Sequence, residues 1–256
     1  MIKFFNFFNY SNLFISLCAT SFYLLYALKA DLNFFISTPV LVFCLTYIAY
    51  HLLRFIPYKR GLIVEGEFKK FYEAHPMYSI ISILIAFITS LYCLQDLSFF
   101  SFEILILCGV IVLLYERIIF KNFNLRMIPY SKPFFVALVW ALMATGLNGE
   151  FNVFHFSDAF IFITLMTIPF DLKDLKYDQF LLLKTIPMKI PHNLSWILST
   201  SFFVYSMTCI YLYQEYYFIF GLLAYPLILK WGRQKDWVYY LGLDGLILLR
   251  FLLYLI

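Results

Sequence analysis

The chain has 256 residues, of which 63% are hydrophobic and only 13% carry charge, against roughly 25% charged in a soluble domain. That composition excludes a soluble globular protein and indicates an all-α membrane protein, with room at about 20 residues per span for one bundle and none for a second, soluble domain. The net charge of +4 is dispersed, with no basic arm of its own, so nucleic acid is not an expected partner.

Apolar runs separated by polar or proline-containing breaks predict nine spans, at 12–28, 37–56, 77–94, 100–119, 133–147, 156–170, 194–213, 216–229 and 237–256. The first run has only Lys3 before it and no small-x-small cleavage site near its end, so it is read as a retained span and not a signal peptide. The connection at 57–76, PYKRGLIVEGEFKKFYEAHP, mixes charge with Phe68, Phe71 and Tyr72 and predicts a short interfacial helix over the bundle mouth. The other long connection, 171–193, is a polar tract that contains Asp171, Asp174 and Asp178. No repeat or linker marks a domain boundary, so the whole chain is expected to form one transmembrane domain.

Nine spans put 17 of the 19 basic residues on one side, leaving only Lys29 and Arg250 on the other. Under the positive-inside rule this places the N-terminus and the 171–193 tract on the cytoplasmic side, as in a bacterial inner-membrane protein. Short connections on the opposite side carry Asp31, Asp96, Glu150, Asp158 and Glu215. The five cysteines lie singly in apolar runs and the four histidines form no HxxxH or HExxH pair. Neither a disulfide framework nor a zinc site is expected.

The stretch DLKDLKYDQFLLLKTIP, at 171–187, is where chemistry is expected. If the sixth span continues as helix, Asp171, Asp174 and Asp178 fall within an arc of roughly 60°. Such a face suits Mg²⁺, which prefers carboxylate oxygen; spacing alone equally fits a solvated helix end. The second span ends TYIAYHLLRFIPYKR, with Tyr47, Tyr50, His51 and Arg54 on one face, and the connection after the fourth carries Tyr115, Arg126 and Lys132. Acid on one helix end and base on its neighbours is the arrangement that a Mg²⁺-bound diphosphate needs.

Nine spans, an Asp-rich tract after the sixth, the trailing Lys184, Thr185 and Pro187, and the Tyr115-to-Arg126 connection followed by PFFVALVWALMATG together resemble the UbiA family of intramembrane prenyltransferases. The resemblance implies a bundle around a central cavity, in which Asp-rich motifs bind Mg²⁺ and an isoprenyl diphosphate and the prenyl group passes to a lipid-soluble acceptor. On this reading Asp171, Asp174 and Asp178 hold Mg²⁺, and Arg54, Arg126, Lys132 and Lys184 contact diphosphate. Tyr47, Tyr50, His51 and Tyr115 line the cavity. The chain departs from the family on the second span, where no carboxylate occurs between Asp31 and Glu65, and at Leu182, where the family has glycine. A non-catalytic member that binds an isoprenoid, a quinone or a protein partner is therefore the alternative reading.

Overall fold

The computed structural model describes residues 7–32, 35–59, 67–115, 124–180, 182–190, 193–232 and 236–256; the side chains of residues 67, 176, 177, 180, 236 and 237 lie outside that description. Among the described residues the architecture is wholly helical, without strands. In chain order the helices are α1 (Leu13–Lys29), α2 (Ser37–Lys59), α3 (Glu67–Ala74), α4 (Pro76–Cys93), α5 (Phe99–Tyr115), α6 (Lys132–Gly146), α7 (Val153–Lys173), α8 (Leu175–Phe180), α9 (Ile186–Lys189), α10 (Leu194–Tyr213), α11 (Phe218–Gly232), α12 (Asp236–Tyr239) and α13 (Gly245–Tyr254). A π turn, Tyr240–Asp244, joins α12 to α13, so these three pieces make up the last predicted span.

Local chemistry sets the helix ends. Pro76 opens α4 and Pro133 stands in the first turn of α6, where a missing N–H costs nothing. Asn152 caps α7, its side-chain oxygen accepting from the backbone N–H groups of Phe154 at 2.9 Å and His155 at 3.2 Å. Four helices (α2, α4 with its following turn, α7 and α10) are long and apolar enough to cross a membrane, and α1, α5, α6 and α11 are shorter apolar helices. Ile80, Leu84, Phe87 and Ile88 on α4 and Leu107 and Val110 on α5 are exposed, as faces turned to hydrocarbon must be.

The main core lies where α6 meets α7. Ala137, Ala141 and Ala144 pack in one cluster with Ala159, Phe162, Ile163 and Met166. Small residues let the two backbones approach closely, which in lipid replaces the hydrophobic drive as the source of association. The small-residue helix seen in the sequence is thus a packing device. α3, the predicted interfacial helix, buries Phe71 and Tyr72, and Tyr72 stacks with Tyr58 of α2.

Of the two basic residues left over by the charge partition, Arg250 is buried and Lys29 half-buried, and both are paired. Arg250 Nη2 lies 2.8 Å from Asp158 and 3.1 Å from Glu215. Lys29 lies 3.1 Å from Asp158 and also contacts Glu215. Tyr26 donates to Asp158 at 2.7 Å, Tyr205 donates to the same carboxylate, and Tyr217 donates to Glu215. Two cations and two carboxylates make the network neutral, and it ties α1, α7, the α10–α11 connection and α13 together.

Candidate active site

A cavity of about 780 Å³ opens between α1, α2, α5, α6, α7 and the π turn. Its wall is mainly apolar, with Leu53, Val112, Val136, Met166 and Phe170 among the lining residues, and its charged groups are Arg54, Arg126, Lys132, Asp171, Lys173, Asp174 and Asp244. The volume lies within the roughly 300–1,000 Å³ of ordinary ligand sites.

Asp171, Asp174 and Asp178 come together, though not on one continuous helix. α7 ends at Lys173, Asp174 leaves helical geometry at φ −81° and ψ 0°, and α8 begins at Leu175. What gathers the carboxylates is Lys132, at the start of α6. Its Nζ lies 2.9 Å from Asp171 Oδ1, 2.9 Å from Asp174 Oδ2 and 3.1 Å from Asp178 Oδ2. Asp178, fully buried, also accepts from Arg126 Nη2 at 2.6 Å. Arg126 itself is placed by a 3₁₀ turn, Leu125–Met127, which Asn124 caps by accepting from Met127 N–H at 2.9 Å.

Three carboxylates and two cations give this cluster a net charge of −1. Asp174 stands at the rim with a side chain 39% exposed. Burial works against its ionisation, but the Lys132 ammonium, with Arg126 and Lys173 beyond it, outweighs that and holds its carboxyl below the ordinary range. The donor set is all oxygen, and Asp171 Oδ2 is buried without a hydrogen-bond partner, so its chemistry fits a hard cation. As folded, the carboxylates converge on the Lys132 ammonium, and among the described residues no three His, Cys, Asp or Glu side chains are grouped so as to hold a metal ion.

The face expected on α2 divides. Tyr50 and Arg54 line the cavity, with the Arg54 guanidinium 5.2 Å from the Tyr50 ring and 3.9 Å from that of Phe68, and Tyr115 lines it from α5. Tyr47 and His51 do not. Tyr47 is buried against α4, donating to Ser82 Oγ at 2.7 Å, and the His51 ring is held by Asn12 at 3.0 Å. At 100° per residue these two form a stripe about 60° from that of Tyr50 and Arg54, enough to turn them from the cavity into the α1–α4 packing. Lys184 is also displaced from its expected role: its side chain is exposed outside the cavity lining, and its carbonyl accepts from Tyr130 N–H at 2.9 Å. Asp178 sits behind the lining, where it positions Arg126 and Lys132.

Three contributors to the site went unforeseen: Lys173, Trp140 and Asp244. The signal for Asp244 was present, because an acid inside an apolar span, here flanked as GLDGL, marks a functional position by default. Lys173 was seen only as spacing between aspartates, and nothing in the sequence separates Trp140 from a packing residue. The basic connection at 116–123 lies outside the described residues.

The sequence matches no protein-family model and no curated protein. Among solved structures, that of digeranylgeranylglyceryl phosphate synthase in membranes is similar to this chain, with 98% of each chain covered, a TM-score of 0.53 and 14% sequence identity. A likeness at that identity establishes the fold alone, an all-α membrane helical bundle.

Proposed function

We propose that the chain binds an isoprenyl diphosphate in this cavity and transfers its prenyl group to a lipid-soluble acceptor. One observation carries the reading: a compact acid–base cluster, Asp171, Asp174, Lys132 and Arg126, opens directly onto a long apolar chamber. An amphiphile with a polyanionic head and a hydrocarbon tail is the ligand that satisfies both halves at once.

In this reading Lys132 and Arg126 offset charge on the phosphoryl oxygens, and Arg54 adds a further cation from α2. Asp171 and Asp174 would hold Mg²⁺, which supplies neutralisation of the departing diphosphate. Asp178 keeps the two cations in place. The apolar wall excludes water from the electron-poor allylic carbon, and the faces of Tyr50, Tyr115 and Trp140 shield its charge.

The test is binding of geranylgeranyl diphosphate to the full chain in nanodiscs, read by quenching of its tryptophan fluorescence. Wild type is expected to lose affinity at least about tenfold when Mg²⁺ is chelated, and Asp174→Ala and Lys132→Ala each about tenfold or more, from the worth of a charge-assisted hydrogen bond. Unchanged binding in both variants overturns the proposal. The lack of any carboxylate on the cavity stripe of α2 favours a second reading, a chain that binds the amphiphile without turnover. Diphosphate release with any allylic donor excludes that reading.

A further inference from the structure

Prenyl transfer as laid out above leaves one acid of the cavity unused, Asp244. It is the last residue of the π turn Tyr240–Asp244; such turns recur at functional positions because they push side chains out of the regular helical register. Asp244 is 6% exposed and lines the cavity. Its backbone carbonyl accepts from the Cys18 thiol at 3.2 Å, but among the described residues no hydrogen bond or ion pair reaches its carboxylate. Two cations face it and are committed elsewhere. Arg54 donates to Asn12 Oδ1 and stacks on Phe68, and Lys173 is bonded to the Tyr240 hydroxyl.

A carboxylate in an apolar wall with no donor carries a desolvation cost that a ligand donor relieves. That donor is neutral: Arg54 and Lys173, two cations facing one carboxylate, already overcompensate its charge, so an ammonium or metal ion would add to the surplus. Beyond Arg54, Lys173 and Tyr50 the cavity wall is mainly apolar, which selects a lipophilic molecule.

We propose that Asp244 receives the hydroxyl of a lipid-soluble alcohol or phenol, making a second polar station in the cavity apart from the Asp171–Lys132 cluster. This deepens the prenyl-transfer reading and rests on it for the role of the bound molecule as acceptor. In the transfer a hydroxyl oxygen pair forms the bond to the allylic carbon and the carbon–oxygen bond to diphosphate breaks. Diphosphate leaves with that electron pair, and the hydroxyl proton passes to Asp244.

The experiment compares farnesol with its methyl ether, which differ by one hydrogen-bond donor, on the full chain in nanodiscs by quenching of its tryptophan fluorescence. Wild type is expected to prefer the alcohol by about tenfold or more. Asp244→Ala brings the ratio to about one. Asp244→Asn, which keeps the size and an acceptor oxygen, retains a reduced preference and serves if the alanine variant fails to elute as a monodisperse species. An equal affinity of wild type for both ligands overturns the proposal, as does an undiminished ratio in either Asp244 variant. Loss of the ratio in Asp174→Asn alone places the hydroxyl at the other cluster and also overturns it. Neither ligand carries a diphosphate, so the result stands or falls independently of the isoprenyl diphosphate test.

Discussion

Replacing Arg250 by Met removes the most deeply buried charge of the network at the end of the bundle opposite the aspartates. Arg250 is 2% exposed and serves Asp158 at 2.8 Å and Glu215 at 3.1 Å. Without it two buried carboxylates share Lys29, and a neutral network becomes a buried charge of −1. Breaking one partner out of a buried ion cluster costs about 3–5 kcal/mol. At about 2–4 °C per kcal/mol for a chain of this size, Tm falls by roughly 6–20 °C. Adding Asp158→Asn restores neutrality, leaving Lys29 with Glu215, while the amide oxygen still accepts from one of the two hydroxyls, Tyr26 or Tyr205, that the carboxylate's two oxygens serve. The double variant should therefore recover a large part of the loss. Thermal unfolding in detergent, followed by monodisperse elution after heating, reads both. Refutation would come from a single variant within about 2 °C of wild type, or from a double variant whose loss equals the sum of the two singles, since contacting charges must couple.

Leu182 occupies left-handed backbone at φ +56° and is 90% exposed, so Leu182→Gly relieves strain worth about 1 kcal/mol and raises Tm by a few degrees in the same unfolding assay. Gly242 lies in the π turn where an added Cβ would meet Ile228 Cγ1 at 2.8 Å. Gly242→Ala should accordingly destabilise by about 1–3 kcal/mol, and Ile228→Ala in the same chain should restore much of it by making room.

The outline of the fold was legible because lipid imposes it: every span must be helical and apolar, and polar breaks mark its ends. α10 coincides with the predicted 194–213 because Asn193 and Gln214 bound it on both sides. The sixth span overran its prediction of 156–170 because Asp171 is buried by Lys132, 39 residues earlier in the chain, and a local hydropathy pattern cannot see neutralisation that arrives from another helix. The aspartates do lie together, but for a different reason than the spacing suggested, since a lysine gathers them and no unbroken helix does. On α2, helical spacing placed four residues on one face without showing where the cavity's edge would cut it. Tyr50 and Arg54 fell inside and Tyr47 and His51 outside, a distinction set by the position of α4. Lys29 and Arg250 were counted as minor exceptions to the charge rule, whereas they form the centre of a buried lock.

The Lys132 ammonium sits at the point where three carboxylates meet, so the resting site is already closed on itself. A ligand that needs those carboxylates or that lysine binds only the fraction of molecules in which the internal contacts have opened, and its apparent affinity falls in proportion to that fraction. An opening free energy of about 2 kcal/mol corresponds to a roughly 30-fold weakening. A neutral lipid lodged in the hydrocarbon part of the chamber meets no such threshold. On the proposed function the same cavity thus discriminates by ligand charge before any contact with a ligand is made: an uncharged lipid needs no ion pair to open, and a polyanion needs Lys132 to let go of its carboxylates.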